Sequence, residues 1–232
     1  MIRFVLFGVP VHIHLSFWVA ALAWGAALTA LEPSPLGVLF FALAAFVCLL
    51  SHEVGHALAA RLAVGDDVGL CLSWMGGACC SETEQPKCSP SRGIIISMAG
   101  PLAGLMPALL LFAALLLMPG VQEPGKLMLR LLQGQVPMEY ASSCPALLLL
   151  FGVYLVQISV WWTALNLLPL FPLDMGFVVH ELMGSSCLAH IISIVATCLL
   201  SLFFFAWGVW ALALLMLVFA YYNYRCILDH IE

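Results

Sequence analysis

Two histidines and a glutamate in one short segment, His52-Glu53-Val-Gly-His56, are the residues of this chain best suited to chemistry. Side chains four positions apart lie on the same face of an α-helix, so the two imidazoles could bind one metal ion. A glutamate beside the first histidine could take a proton from the water that such a metal activates. The spacing therefore indicates a hydrolytic metal site with two of its ligands on a helix.

This segment lies inside a long apolar run, residues 36–63. An ionisable group inside a membrane span costs about 2.5–3.5 kcal/mol on insertion scales, so its presence there favours a functional role. The alternative is a pair of buried histidines that hydrogen-bond only to each other or to backbone carbonyls. That alternative leaves the glutamate poorly compensated, and we therefore predict a metal site within a membrane helix.

The composition is that of a membrane protein. Of the 232 residues, 64% are hydrophobic and 8% are charged, whereas average soluble domains have about 25% charged residues. The net charge is −5, and the sequence has no run of basic residues, which argues against nucleic acid as a partner. We predict an all-α polytopic fold with about six transmembrane helices. A small β segment is expected at residues 4–13, and another after the HEVGH helix at residues 68–74.

Turn residues divide the apolar sequence into the predicted spans. The spans expected to form the core are residues 36–64, 93–118 and 146–168, and a shorter first span is expected at 15–31. The last apolar run, residues 188–222, is long enough for a hairpin of two short spans around Trp207-Gly208. One long span followed by an interfacial piece is the alternative.

A catalytic zinc site usually has three protein ligands, so a third ligand must come from elsewhere in the chain. Asp174 is the best candidate because it follows a proline-broken helix end and needs a partner near a membrane boundary. The cysteines lack the paired CxxC spacing of standard zinc sites. The other candidates are Asp66, Asp67, His180, Glu181, His190 and the group Cys71, Cys79, Cys80 and Cys88.

Four segments together resemble the site-2 protease family of intramembrane zinc metalloproteases, in particular its compact bacterial and archaeal members. The first is the N-terminal GVPVHIHLSF, and the second is HEVGH followed by Gly76-Gly77. The third, Met98-Ala-Gly-Pro-Leu-Ala-Gly104, is similar to the AGP motif that opens a core helix of the family. The fourth is Asn166-Leu-Leu-Pro-Leu-Phe-Pro-Leu-Asp174, which is similar to the family's N-x-x-P-x-x-P-x-D motif.

This resemblance implies a single membrane-embedded metalloprotease domain over residues 1–232. It implies one Zn²⁺ ion per chain, held by His52, His56 and Asp174, with Glu53 as the catalytic base. Asn166 would hold the substrate backbone or the developing oxyanion. The substrates implied are single-span membrane proteins, such as anti-sigma factors or sigma precursors, cut within or near the bilayer in regulated intramembrane proteolysis. The implied location is a bacterial inner membrane, as a multi-pass protein.

One position departs from the family pattern. The family usually has glycine directly after the motif aspartate, whereas here Met175 follows Asp174 and glycine comes next. A bulkier residue restricts the backbone, which motivates a second hypothesis: a catalytically inactive relative that binds single-span partners without cutting them. A metal transporter is a third hypothesis. It is disfavoured because the sequence shows one compact motif rather than internal repeats with ionisable residues along a path.

Overall fold

The computed structural model describes residues 1–28, 34–65, 68–74, 76–81, 89–136, 138–140 and 145–229. Most of these residues are helical, which confirms the predicted fold class. The helices are α1 (Leu15–Leu28), α2 (Pro35–Val64), α3 (Pro90–Gly104), α4 (Met106–Leu117), α5 (Pro124–Leu132), α6 (Ala146–Asn166), α7 (Asp174–Met183), α8 (Ser186–Ala206) and α9 (Trp210–Asp229). The strands are β1 (Ile2–Leu6), β2 (Val9–Ile13), β3 (Val68–Ser73) and β4 (Gly76–Ser81), and Met138–Tyr140 forms one 3-10 turn.

Five of the described helical segments are long and apolar enough to cross a membrane. They are Pro35–Ala63, Pro90–Leu117, Ala146–Asn166, Ser186–Ala206 and Leu212–Asp229. Helix α1 is also apolar, but its 14 residues extend about 21 Å, short of the roughly 30 Å hydrocarbon core. The last apolar run forms two helices, α8 and α9, so the hairpin interpretation is the one observed.

The chain divides into two compact units. The first comprises residues Met1–Pro86 and Ala99–Thr163, and the second comprises Lys87–Met98 and Ala164–Glu232. The first unit therefore contains the sheet and the HEVGH helix, and the second contains the NLLPLFPLD segment with α7, α8 and α9. That the whole chain acts as one domain stays a prediction.

The four strands form one sheet in the order β1-β2-β3-β4. The N-terminal segment, predicted as one strand, is a hairpin that turns at Phe7-Gly8, where both residues have positive φ. Strand β2 pairs with β3 in parallel, and parallel strands need a long crossover, which α1 and α2 provide. Strand β4 pairs antiparallel to β3 and begins with Gly76-Gly77.

One face of the sheet packs against α1 and α2. Alternate residues of β2 and β3 are buried, in keeping with the two-residue period of a strand. The buried cluster joins these strand residues to Phe17 of α1 and to Val54 and Ala57 of α2. The sheet is thereby fixed along the part of α2 that carries HEVGH.

A proline interrupts the third predicted span, which consists of α3 and α4 separated at Leu105. Because Pro107 has no N–H, it cannot bond to the carbonyl four residues earlier, on Ala103. The hydroxyl of Ser51 donates to that carbonyl at 2.6 Å. In the same region Thr163 of α6 donates to the Pro101 carbonyl at 3.3 Å. The Ser51 hydroxyl satisfies the freed carbonyl, and the two hydroxyls together connect the break to α2 and α6.

Candidate metal centre

The two histidines of HEVGH lie side by side on α2, with their Nε2 atoms 3.1 Å apart. Their rings meet edge to face at a centroid distance of 4.8 Å, and His52 is only 3% exposed. Two nitrogen ligands at about 2.0–2.1 Å from a tetrahedral zinc are separated by about 3.3 Å. The observed separation is close to that value, so this pair fits two positions of a zinc site.

Two glycines in the first unit make room for these imidazoles. Gly100 and Gly104 have the same four-residue spacing as the histidines. A Cβ atom on Gly100 would overlap Nε2 of His56, and one on Gly104 would lie 3.3 Å from Nδ1 of His52. Gly55, between the histidines, is similarly close, since a Cβ there would overlap the Ala99 carbonyl. The AGP segment is thus a close-packed surface that leaves space for the histidine rings, as small residues do between membrane helices.

We expect Gly100→Ala to lower zinc affinity by at least tenfold, because the new methyl group displaces the ring of His56. Alanine is the better helix former by up to about 1 kcal/mol, so the change in helix propensity would stabilise α3 and cannot account for a loss of zinc affinity. The affinity is measured on purified protein by competition with a chromogenic chelator. Gly125→Ala in α5 is the matched control, because a Cβ there meets nothing within 4 Å. An unchanged affinity in Gly100→Ala would contradict the close contact.

Glu53 is buried, with 6% of its surface exposed, and it lies against β4. A Cβ atom on Gly77 would overlap the Glu53 side chain, so only glycine leaves room there for the carboxyl group. Strand β4 is an edge of the sheet as described, which brings a strand edge beside the candidate base. The motif glutamate therefore has a fixed position next to an extended backbone.

In the second unit, Asn166 is the last residue of α6 and Asp174 is the first of α7. Asn166 is 5% exposed. The connection between them is tightly folded, with hydrogen bonds from the N–H of Leu173 to the Leu170 carbonyl at 2.6 Å and from the N–H of Leu170 to the Leu168 carbonyl at 2.7 Å. An aspartate in the first turn of a helix is favoured by the helix dipole. The two prolines thus end one helix and present a carboxylate at the start of the next.

The structure explains the departure at Met175. Of the non-glycine residues that the structure describes, Phe7 alone has a positive φ. Met175 therefore has the ordinary backbone dihedral angles of a helix, without strain. The close approach falls one residue later: a Cβ atom on Gly176 would overlap backbone atoms of Leu170 and Phe171. Glycine is therefore required at position 176, and Met175 does not disturb the turn.

The other candidate ligands are placed as follows. His180 Nε2 is 2.9 Å from the hydroxyl of Ser186, and His190 Nδ1 is 2.8 Å from the side-chain oxygen of Asn223. Glu181 lies beside Gly93, and Cys71 lies in β3. Asp66, Asp67 and Cys88, as well as the side chains of Cys79 and Cys80, lie outside the described residues.

A sequence model of peptidase family M50 matches residues 40–206, which include HEVGH, the AGP segment and the NLLPLFPLD segment. The chain belongs to peptidase family M50. The fold agrees, since the chain is similar in structure to a site-2 protease from Methanocaldococcus jannaschii, with a TM-score of 0.51 and 20% sequence identity. The similarity covers 97% of this chain and 94% of that one. A search of curated proteins gave no match.

Membership in M50, the site-2 protease family, confirms the resemblance predicted from the motifs and makes this chain a member of a metalloprotease family. That family acts on membrane-protein substrates in the bilayer. Together with the five apolar helices, this indicates a multi-pass membrane protein. The roles of individual residues are proposals, and they follow below.

Proposed function

We propose that this M50 protein is an intramembrane zinc endopeptidase that hydrolyses single-span membrane proteins within or near the bilayer. The observation that carries the proposal is the His52–His56 pair, whose Nε2 atoms are 3.1 Å apart on an apolar helix. Glu53 adds a buried carboxyl group within the same motif. A metal-binding pair with an adjacent base is the minimum that metal-assisted hydrolysis requires.

We further propose that Asp174 is the third ligand and that each chain holds one Zn²⁺ ion. The donor types support this, since His52 and His56 offer imidazole nitrogens and Asp174 offers a carboxylate. Two imidazoles and one carboxylate suit zinc, and three protein ligands leave one position for water or substrate. The position of Asp174 at a proline-broken helix start also supports the assignment.

A zinc ion held in this way would act as a Lewis acid and would activate water for hydrolysis at neutral pH. Glu53 would accept the proton of the attacking water and deliver it to the leaving amine. The amide of Asn166 would donate a hydrogen bond to the developing oxyanion or to the substrate backbone. Its low exposure supports such a role, because a hydrogen bond is stronger where water is excluded.

The substrate must be extended at the cleavage site, because helical carbonyls are engaged in their own hydrogen bonds. The edge of β4 would receive such a segment by strand addition. Gly77 supports this role, since it allows the β4 backbone to run directly against Glu53. We propose single-span regulators such as anti-sigma factors or sigma precursors as substrates, and a bacterial inner membrane as the location.

The test is cleavage of a single-span reporter reconstituted with the purified protein in liposomes, with products identified by mass spectrometry. We expect cleavage within or near the membrane segment. Removing the metal with a chelator should abolish it, and adding zinc in stoichiometric amount should restore it. Bound zinc and bound reporters with no product across a panel of single-span proteins would instead favour the non-catalytic alternative.

A further inference from the structure

A buried asparagine in the last membrane helix is unexplained by the motifs. Asn223 of α9 is 0% exposed, and it lies beyond the residues 40–206 that match the family model. A primary amide within an apolar helix is stable only if its donors and acceptor are satisfied. Its hydrogen bonds therefore indicate what this residue holds in place.

Asn223 connects two helices to the segment that precedes Asp174. Its Nδ2 group donates to the carbonyl of Phe171 at 2.7 Å and to that of Phe219, one turn earlier in α9, at 2.8 Å. Its Oδ1 atom lies 2.8 Å from Nδ1 of His190 in α8. Because Oδ1 can only accept, His190 must carry a proton on Nδ1. The amide is thus satisfied on both sides.

The backbone N–H of Phe171 is also hydrogen-bonded, in this case by a side chain of α8. The backbone N–H of Phe171 donates to the hydroxyl of Ser193 at 2.9 Å, and Ser193 in turn donates to the Ala189 carbonyl at 3.0 Å. Both backbone groups of Phe171 are therefore bonded by side chains, where a helix or strand would have used backbone partners.

The ring of Phe171 is fixed as well. It packs edge to face on His190 at a centroid distance of 4.8 Å, and it lies 4.5 Å from the ring of Phe177. It is also parallel to Tyr222 at 6.4 Å. Side chains of α7, α8 and α9 thus surround a single residue that lies three positions before Asp174, on the far side of Pro172.

We propose that Asn223, together with Ser193, is a positioning residue for Asp174: it fixes the Phe171 backbone and thereby the start of α7. The inference rests on the proposed function, because it takes Asp174 as a zinc ligand. Groups that orient a metal ligand from outside the ligand set typically change metal affinity about 10–100-fold when they are lost. Asn223 would act in that way, through the backbone rather than through a ligand side chain.

The test is Asn223→Leu, which keeps the branched shape and removes every hydrogen bond of the amide. Leucine favours membrane insertion, so failure to fold is not the expected outcome. We expect zinc affinity to fall at least tenfold and the visible absorption bands of the Co²⁺-substituted protein to change. Ser193→Ala should change both readouts in the same direction. The loss of zinc affinity in the double variant should be smaller than the sum of the two single losses, because both side chains bond to the same residue, Phe171.

Ser201→Ala is the matched control. Ser201 donates to the Ala213 carbonyl at 2.9 Å, so this change removes a buried hydrogen bond between the same two helices at a distance from Phe171. We expect its zinc affinity and Co²⁺ spectrum to be unchanged. Equal losses in Ser201→Ala and Asn223→Leu would mean that general loosening of α8 and α9 is responsible, and would overturn the positioning role.

Asp174→Asn, measured in parallel, separates this inference from the proposed function. If Asp174→Asn loses zinc while Asn223→Leu and Ser193→Ala bind it with full affinity and an unchanged Co²⁺ spectrum, only the positioning role fails. If Asp174→Asn itself binds zinc normally, the ligand assignment fails, and the positioning role fails with it.

Discussion

Glu53→Gln is expected to abolish cleavage of a single-span reporter while zinc stays bound. Glutamine has the size and shape of glutamate, so it fits the space beside Gly77 that the carboxyl group occupies. It cannot accept a proton, however, and loss of a general base costs typically about 10²–10⁴-fold in rate. The measurement is the initial rate of cleavage in liposomes, together with zinc content by elemental analysis of the same sample.

Two comparisons make this result specific. Glu123→Gln changes the same chemical group at the surface, where Glu123 pairs with Lys126 at the start of α5, and it should cleave at the normal rate. The zinc content of Glu53→Gln should match that of the unaltered protein, because neither histidine is changed. A reporter cut at an undiminished rate by Glu53→Gln would refute the assigned mechanism.

Hydropathy predicted the helices well because in a membrane an apolar run of sufficient length has few alternatives. The HEVGH helix was predicted from residue 36 and begins at Pro35, and the span predicted at 146–168 is α6, Ala146–Asn166. The break between α3 and α4 was not predicted. It depends on Pro107 together with the Ser51 hydroxyl, which comes from another helix and satisfies the freed carbonyl.

The strands were predicted only in part, because short strands are defined by their partners. The alternation in residues 68–74 identified β3, but β4 contains few apolar residues and depends on pairing with β3. The N-terminal hairpin was predicted as one strand because its turn places a phenylalanine, Phe7, at positive φ. Such a residue gives no sequence signal of a turn, although Gly8 beside it does.

For the site, the sequence singled out residues whose chemistry is distinctive, and their roles stay predictions. It did not single out the glycines that contact the histidine rings or the asparagine that bonds to Phe171. The four-residue spacing of Gly100 and Gly104 matches that of the two histidines, and this was a usable signal for the close contact. Asn223 directly follows the last apolar run, residues 188–222, and a primary amide at such a position in a membrane helix can bond to a buried partner. That partner, the Phe171 carbonyl, is 52 residues away in sequence, and only the fold identifies it.

Met175 shows how a motif can be interpreted too narrowly. The departure from the usual aspartate–glycine pair suggested altered geometry and hence an inactive relative. In this chain the glycine is needed at position 176, where the α7 backbone meets Leu170 and Phe171. Residue 175 has ordinary helical φ, so methionine is tolerated there. The sequence departure is therefore no argument against activity.

Asp174→Asn is expected to reduce zinc affinity by at least about 100-fold, the upper end of what loss of a group outside the ligand set costs. The substitution keeps the shape of the side chain and replaces an anionic ligand with a neutral amide. Two imidazoles alone would then hold the ion, and two ligands fall short of the three that catalytic zinc sites use. Affinity is measured by chelator competition, and Co²⁺ absorption reports the coordination geometry.

Asp229→Asn is the control for loss of an aspartate charge. Asp229 is exposed, and its carboxylate lies 3.8 Å from the guanidinium of Arg225. It should bind zinc normally.

If Asp174→Asn also bound zinc normally, the third ligand would have to be one of the other candidates. His180 contacts Ser186 through Nε2 and His190 contacts Asn223 through Nδ1, so either histidine would have to bind zinc through its other ring nitrogen. Asp174 offers an anionic ligand at the first turn of α7, where the helix dipole favours a carboxylate.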